Sequence, residues 1–335
     1  MILPQLEMVR LRLTMRLLGD ARLPAFKGSL LRGGFGYAFQ RATCPAACWG
    51  NAHACEAPII CPYRWVFATP HPPEVAELHD LQDVPRPFVV RLGTDERTTY
   101  RAGEALEFQV TLLGRGIDYL PFFLFGFAHL GERGLGAART PARLERVEAL
   151  EPWRPTGPVI YQDGRLITPS TMPSIDGPAI SARASELPDT LQLTIASPLR
   201  IKSRGHLMER IDLPAIIRAT AWRLDTLALF HGGGAWGVNH HELAEAARVI
   251  KLEREHVRWE DRERQSDGRH GRQRMHLGGL VGSVILHDVP RDLRTLLVAA
   301  SIIQIGKACV FGNGVIDISA ISDLPLHNHQ PPAKM

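Results

Sequence analysis

The sequence predicts an α+β protein made of two similar halves in tandem. Three observations support this prediction. Stretches in which apolar residues recur at every second position are interleaved with stretches of helical periodicity. A glycine-rich turn follows the last predicted helix of each half, at 131–136 and at 306–314. The 335 residues are enough for two ordinary domains with separate hydrophobic cores.

The first half begins with a strand and a short helix. Residues 7–17 alternate between apolar and mostly basic side chains, which predicts a half-buried strand whose open face carries Arg10 and Arg12. The apolar spacing over Ser29–Gln40 predicts a helix. Three glycines inside this helix each cost roughly 1 kcal/mol relative to alanine. A close neighbour of the helix would explain them.

Three more elements complete the first half. The pattern predicts a strand over 106–112, an aromatic-rich helix over 119–130 and a short strand over 143–147. The proline-rich stretch 69–87 predicts a long loop within this domain.

The second half repeats the same order. It predicts a strand over 191–195 and then a helix whose N-terminus is marked by Asp212. Two strands follow, over 249–259 and 275–286. An amphipathic helix begins after Pro290, and a last strand comes after the glycine-rich turn.

The order strand–helix–strand–strand–helix–strand is the ferredoxin-like (RRM-like) motif, which leaves one face of its sheet without helices. We therefore predict an N-terminal ferredoxin-like domain over 1–168 and a C-terminal one over 189–322. Prolines predict an interdomain linker over 169–188, entered through a hairpin at Tyr161–Leu166. The tail 323–335 is predicted to be flexible.

Composition excludes some broad classes. With 45% hydrophobic and 22% charged residues, the chain is globular rather than disordered. The net charge of +4 permits nucleic-acid binding without requiring it. Charged residues near the N-terminus argue against a signal peptide, and the longest apolar stretches are far short of a membrane span. We therefore expect a cytoplasmic protein with no membrane partner, whose five cysteines are reduced or metal-bound.

Four cysteines form an insertion at 44–61 with the pattern Cys44-x3-Cys48-x6-Cys55-x5-Cys61. Thiolates this close in an intracellular chain predict a tetrahedral structural metal site, most simply zinc. An iron–sulfur cluster is the less favoured alternative, and a set of reduced loop cysteines is another.

Two groups of histidines are candidates for chemistry. His53 lies inside the cysteine insertion and could act as a general base near neutral pH, although it could equally be a metal ligand or a solvated loop residue. His231, His240 and His241 flank a run of three glycines. The pair His240–His241 does not match a metalloprotease spacing, so the sequence predicts a solvated helix start there.

The C-terminal glycine-rich turn, Gly306–Gly314, is a candidate phosphate site. It is not a nucleoside-triphosphate loop, because Lys307 is followed by Ala308 rather than serine or threonine. It leads into a strand rather than a helix, which excludes a dinucleotide fingerprint. Backbone amides next to Lys307 predict contact with phosphates, whereas the alternative is a turn that only packs helix against strand.

A basic stretch over 248–276 holds nine Lys and Arg against six acidic residues. It falls on a predicted hairpin with interleaved aromatic and histidine residues, which favours RNA or DNA contact over a merely solvated face. Together with the N-terminal arginines and the glycine-rich turn, it gives the predicted RNA-binding residues. They are Arg10, Arg12, Arg32, Arg264, Arg269, Arg272, Arg274, Gly306, Lys307, Gly312, Asn313 and Gly314.

Several motifs together resemble the CRISPR repeat-processing endoribonucleases of the RAMP superfamily, the Cas-six family. The motifs span nearly the whole chain. They are Pro24-x-x-Lys27-Gly28-x-Leu30-Leu31-Arg32-Gly33-x-Phe35-Gly36, Cys61-Pro62-Tyr63, Ser197-Pro198-Leu199, Trp259-x-Asp261-x-x-Arg264-x-Ser266, Gly278-Gly279-x-x-Gly282, Ile305-Gly306-Lys307 and Phe311-Gly312-Asn313-Gly314.

The resemblance implies two ferredoxin-like domains that bind a CRISPR repeat RNA in a basic cleft and cut it without a catalytic metal. A ribose 2′-hydroxyl would attack the adjacent phosphate, which requires a base, an acid and a cation. By resemblance, His53 is the base, Tyr37 an acid or hydrogen-bond partner, and Lys27 a phosphate clamp. If His53 is instead a metal ligand, the main catalytic role would pass to Lys27 or Arg32.

Two other functions remain open at this stage. One is a non-catalytic RAMP-type subunit that holds guide RNA within a CRISPR effector complex, alongside other effector subunits. The other is a zinc-stabilised interaction module whose basic stretch only increases solubility.

Overall fold

The structure is a computed structural model that describes residues 1–49, 61–69, 71, 81, 84–93, 95–203, 205–268 and 271–321. In the strands between 263 and 276 it describes the backbone.

The first half forms a six-stranded antiparallel sheet with helices on one face. Its elements are β1 (Met8–Leu17), β2 (Ala21–Arg22), α1 (Gly28–Thr43), α2 (Pro62–Phe67), β3 (Phe88–Leu92), β4 (Thr99–Tyr100), β5 (Ala105–Leu113), α3 (Leu120–Arg133), β6 (Ala142–Leu150), β7 (Val159–Gln162) and β8 (Arg165–Leu166). The strand order is β3-β5-β1-β6-β7-β8, with all pairs antiparallel. The first four of these strands with α1 and α3 are the ferredoxin-like arrangement.

Alternation along β1 explains how this sheet divides core from surface. Leu11, Leu13 and Met15 are buried under the helices, whereas Arg10 and Arg12 are half-buried on the opposite face. The period of two therefore places the apolar side chains toward α1 and α3, as the sequence predicts.

The glycines of α1 and α3 explain how these helices approach each other. At Gly126 a Cβ would lie 2.7 Å from the ring of Phe35, and at Gly34 it would lie 2.6 Å from Leu130. Phe35 stacks on Phe127 with ring centroids 4.1 Å apart. The close neighbour predicted for the glycine-rich helix is thus α3.

The second half forms a four-stranded antiparallel sheet of the same design. Its elements are α4 (Gly177–Glu186), β9 (Leu191–Leu199), β10 (Lys202–Ser203), β11 (His206–Leu207), α5 (Leu213–His231), α6 (His240–Ala246), β12 (Lys251–Glu260), β13 (Glu263–Gly268), β14 (Gly271–His276), β15 (Gly279–His287), α7 (Arg291–Ile303) and β16 (Ile316–Ala320). The strand order β12-β15-β9-β16 again places the first strand between the third and the fourth. The predicted fold class, α+β with two tandem ferredoxin-like sheets, is confirmed.

Strand β3 and the segment 169–188 differ from the sequence prediction. Strand β3, the second strand of the first motif, was not identified, because it follows the proline-rich stretch directly. The segment 169–188 is not only a linker: it contains α4, which Asp176 caps by accepting from the Ala179 amide at 2.8 Å. Ile180 and Ala184 of this helix are buried in the core of the second half. Prolines near both ends of the segment obscured a helix of only three turns.

Direct contacts join the two halves. Arg91 on β3 forms an ion pair with Asp317 on β16, in which its Nη2 donates to both carboxylate oxygens at 2.8 and 2.7 Å. The Gln304 side-chain amide donates to the Val90 carbonyl at 2.9 Å. Met8 and other apolar residues of the first half belong to the hydrophobic cluster of the second half. The relative position of the two sheets is therefore set by polar and apolar contacts together.

In the part of the chain that the structure describes, no helix combines the length and apolar character needed to cross a bilayer.

Candidate nucleic-acid interface

The C-terminal glycine-rich turn connects α7 to β16 and depends on its glycines. Gly306, Gly312 and Gly314 have φ values of 84°, 91° and 72°. A Cβ at Gly314 would lie 1.8 Å from the Ile305 carbonyl oxygen, and one at Gly306 would lie 2.8 Å from that of Arg200. Both the left-handed backbone and the close approach therefore require glycine at these positions.

The turn exposes the side chain of Lys307 and buries that of Asn313. The Lys307 amide donates to the Arg200 carbonyl at 3.1 Å, and the Lys307 side chain is exposed. Gly312 packs against Leu92 of the first half. Asn313 is fully buried and its side-chain amide donates to the Leu277 carbonyl at 2.8 Å. The prediction that Asn313 binds RNA is therefore corrected: it stabilises the turn from inside.

An open cleft of about 1140 Å³ lies next to Lys307, between α1, α5 and the glycine-rich turn. Six cationic side chains line it, and among the described lining residues there is no carboxylate. We call this surface the basic cleft. Its cations are Arg32, Arg86, Arg200, Lys202, Arg223 and Lys307. Such a concentration of one sign of charge favours a polyanionic ligand.

Main-chain carbonyls and aromatic rings hold the arginines of the basic cleft in place. Arg200 donates to the Gly278 carbonyl at 3.0 Å, and Arg223 donates to the Ile303 carbonyl at 3.0 Å. The Arg32 guanidinium lies 4.5 Å from the centroid of the Phe67 ring. Because a guanidinium has five N–H donors, Arg200 and Arg223 keep donors beyond these anchors.

The cations of the second half in this cleft have no acidic partner. Arg200, Lys202, Arg223 and Lys307 form no ion pair with any carboxylate of the described ranges. Their charge is thus available to a ligand rather than neutralised within the protein.

His231 lies behind this surface and is not a candidate base. It is almost fully buried, and its Nε2 is 2.6 Å from the Pro85 carbonyl oxygen of the first half. Burial chiefly, together with the charges of Arg115, Arg223 and Arg86, lowers the pKa of His231 to about 4. The imidazole is therefore neutral at neutral pH and holds the two halves together. His240 opens α6 as predicted, although it is half-buried beside Asp225 rather than solvated.

Lys27, the predicted phosphate clamp, is buried and already bonded. Its ammonium donates to the carbonyls of Ala25, Asp95 and Arg97 at 3.3, 2.7 and 2.9 Å. Burial lowers the pKa of Lys27. Since an ammonium has three N–H donors, none remains for a phosphate in this arrangement. The structure argues against the clamp because the chain around Asp95 folds over Lys27, which the sequence does not reveal.

Tyr37 is not among the residues that line the basic cleft. Tyr37 lies on α1 with 65% of its surface exposed, about 140° around the helix axis from Arg32. His53, Cys55 and Arg269 lie outside the described residues. For Arg264, Arg272 and Arg274 only the backbone is described, in β13 and β14, so their predicted RNA contacts stay predictions.

Arg10 and Arg12 occupy the helix-free face of the first sheet, as predicted, but bond within the protein. Arg10 donates to the Glu151 carbonyl at 2.9 Å and Arg12 donates to the Pro155 carbonyl. Arg12 also lines a second cleft of about 830 Å³, in which four cations face four carboxylates. These are Arg12, Lys27, Arg91 and Arg262, and Asp95, Glu96, Glu107 and Asp317. Its mixed charge makes it a weaker phosphate site than the basic cleft.

Three of the four clustered cysteines are described. Burial raises the pKa of the Cys44 thiol to about 11, and the neighbouring Cys61 and Cys48 add to this effect. Within the described ranges, no group of three His, Cys, Asp or Glu side chains is arranged to hold a metal ion. The zinc site stays a prediction.

Sequence reasoning missed most of the basic cleft. Arg86, Arg200, Lys202 and Arg223 were not identified, because they come from three distant segments that only the fold brings together. The one usable signal was on α5, where basic residues and Trp222 share the helix face opposite the apolar stripe.

Each half of the chain matches a known protein-family model. Residues 193–316 match the model of the CRISPR-associated endoribonuclease Cas6 family, and residues 6–172 match the AF_1859 N-terminal domain model. An uncharacterized protein of Archaeoglobus fulgidus is 24% identical over 212 residues, which is 63% of this chain and 66% of the relative.

Two solved structures share the fold across 95% of this chain. They are described as a partial Cas6-RT-Cas1–Cas2 complex and a Cas6-RT-Cas1–Cas2 complex, each with a TM-score of 0.58 and 14% identity. This chain spans only 47% and 29% of those longer chains. The second half of this chain therefore matches the CRISPR-associated endoribonuclease Cas6 family model, on a molecule with the tandem ferredoxin-like fold.

Proposed function

We propose that this protein is an endoribonuclease that binds CRISPR repeat RNA in the basic cleft and cuts it within the repeat without a catalytic metal ion. One observation carries the proposal: a chain whose second half matches the Cas6 family model has, directly beside its glycine-rich turn, a cationic cleft whose described lining residues include no carboxylate. Six cations that each contact one phosphate would give log K a slope of about −4 to −5 against log salt.

The proposed chemistry is an internal transfer at phosphorus. The 2′-oxygen of one ribose attacks the adjacent phosphorus, so the O2′–P bond forms and the P–O5′ bond breaks. One product then ends in a cyclic phosphate and the other begins with a 5′-hydroxyl. A base removes the 2′ proton and an acid protonates the leaving 5′ oxygen. The base proposed is His53, while the negative charge on the phosphorane is stabilised by Lys307 and Arg223.

The test is cleavage of a matching repeat RNA by the full chain in EDTA. The proposal expects one cut, no cut when the scissile nucleotide carries a 2′-deoxy ribose, and a repeat hairpin that stays bound after cleavage. Cutting that persists through the deoxy substitution would reject the 2′-hydroxyl chemistry. A His53→Ala variant that keeps nearly the full rate would remove His53 as the base.

A second candidate is a non-catalytic subunit that holds guide RNA in a CRISPR effector complex. The observation that favours it is the lining of the basic cleft, whose described residues include no histidine and no carboxylate able to act as a base. Tight, salt-sensitive binding of repeat RNA without any cut product would support this function. Because the two solved structures with a TM-score of 0.58 are described as complexes with RT-Cas1 and Cas2, other CRISPR proteins are proposed as further partners in either case.

A further inference from the structure

Trp222 on α5 lies in the basic cleft with 42% of its surface exposed. The aliphatic side chains on the other face of α5 are buried, and Ile216, Leu224 and Leu227 are at most 1% exposed. The indole is therefore not needed for the core. A large aromatic side chain that stays open within a cationic surface is a candidate ligand contact.

The Trp222 side chain lines two neighbouring depressions. The basic cleft continues past the indole into a smaller hollow of about 290 Å³, which is also lined by Lys202, Arg218 and His240. The indole thus stands between cations on both sides. A chain of phosphates that follows the cleft would have to pass the ring.

The orientation of the indole is supported from one side. The rings of Trp222 and His240 meet at 88° with centroids 5.8 Å apart, an edge-to-face contact. His240 itself is placed at the start of α6, with Nε2 3.0 Å from a carboxylate oxygen of Asp225. This contact is close, but its angles are not those of a hydrogen bond, since Nε2 has no hydrogen-bond partner. The contact with α6 limits how far the indole can turn.

No described arginine or lysine covers the indole, in contrast to two other tryptophans. Two other tryptophans carry an arginine over the ring: Arg41 lies 4.3 Å from the centroid of Trp49, and Arg115 lies 5.5 Å from that of Trp65. No described cation sits over Trp222 in this way, although cations line both of the depressions that it borders. The cations beside Trp222 therefore remain available for phosphates while its ring remains available for a base.

We propose that Trp222 is a stacking platform for one unpaired nucleobase, with Lys202 and Arg223 contacting the phosphates on either side of that nucleotide. An aromatic ring flanked by cations is the combination with which proteins hold single-stranded nucleic acid, because every base has a π-face. Bases inside an A-form helix are stacked on each other, so the nucleotide on Trp222 belongs to a single-stranded segment beside the hairpin. This inference rests on the proposed RNA-binding function and adds a subsite to it.

The test uses fluorescence anisotropy of the full chain with two fluorescein-labelled probes. One is a ten-nucleotide oligoadenylate, and the other is a ribose-phosphate chain of the same length without bases. We expect the wild-type protein to bind oligoadenylate roughly 5- to 150-fold more tightly, the range typical of one stacked base. Trp222→Ala loses this preference, whereas Trp222→Phe keeps most of it. Binding of the base-free probe is unchanged in both variants, because its phosphate contacts do not involve the indole.

Phe125→Ala is the matched control. Phe125 is 67% exposed on α3 and lines neither depression, so its removal leaves the preference for bases intact. Circular dichroism shows whether each variant is folded. If Trp222→Ala is not folded, Trp222→Leu replaces it, because leucine keeps apolar bulk without an aromatic face and should also lose the preference.

Two results overturn the stacking platform. One is a Trp222→Ala variant that still prefers oligoadenylate over the base-free probe as strongly as the wild type does. The other is a wild-type protein that binds both probes equally. A repeat hairpin RNA in the same assay separates this failure from that of the proposed function. If the hairpin binds with steep salt dependence while Trp222 has no effect, only the subsite is wrong. If no RNA binds at low salt, both are wrong.

Discussion

Removing the two exposed lysines of the basic cleft should flatten the salt dependence of RNA binding. Lys202 and Lys307 are exposed and have no carboxylate partner among the described side chains, so a Lys202→Ala/Lys307→Ala variant leaves no acid unpaired and should fold normally. Only ligand contacts are lost. The effect should therefore appear in binding and not in the free energy of unfolding.

The expected magnitude follows from the number of phosphate contacts. With six contacts and about 0.7 per contact for single-stranded RNA, the slope of log K against log salt is about −4.2. Raising salt from 50 to 200 mM then weakens binding by roughly 300-fold. With four contacts the slope is about −2.8, and the same rise weakens binding by roughly 50-fold.

The assay is anisotropy of a labelled repeat RNA at five salt concentrations. An Arg183→Ala/Lys251→Ala variant changes the net charge equally, by removing two cations that are paired on the surface with Glu186 and Asp288. This control should keep the wild-type slope. If Lys202→Ala/Lys307→Ala also keeps the wild-type slope, these lysines do not contact phosphates and the basic cleft is not the binding surface.

Three other predictions follow from individual sites. Gly314→Ala should lower Tm by several degrees, because alanine disfavours the φ of 72° at this position and its Cβ would lie against the Ile305 carbonyl. Gly33→Ala should raise Tm slightly, because Gly33 lies in a helix with open space around it. Thermal melts check both, and equal Tm values would contradict the strain argument. Because burial lowers the pKa of His231 to about 4, its neutral form contributes stability that is present above the unfolded pKa near 6.5 and lost as pH falls toward 4. His231→Gln should show less loss of Tm over that window, and an equal loss would place the effect elsewhere. Elemental analysis should find one zinc per chain that Cys44→Ser removes, while a metal-free wild type would disprove the zinc site.

Much of the fold followed from periodicity. The alternation along β1 predicted both the strand and the face on which Arg10 and Arg12 lie, because register in a half-buried sheet is set by the apolar pattern. Gly34 of α1 correctly predicted a close neighbour, which is α3, whereas Gly33 has no atom within 4 Å of its Cβ position. By contrast, α4 was hidden by the prolines around it, since propensity over so short a segment is overridden by tertiary packing.

The candidate site was less predictable because burial and contacts between distant segments are not visible in a sequence. Lys27 and Lys307 are both lysines beside glycines, yet three carbonyls bind the first and the second is exposed. Asn313 lies in the same turn as Lys307 and points inward. The motif indicated the correct turn, but only the structure separates the residues that can reach a ligand from those that hold the turn.

The most direct test of the central claim is photo-crosslinking of repeat RNA to the full chain, followed by mass spectrometry of the attached peptides. If RNA lies in the basic cleft, crosslinks fall on the peptides that carry Lys202, Trp222 and Lys307. Crosslinks confined to the mixed-charge cleft around Arg12 and Asp317, with none in the basic cleft, would contradict the account.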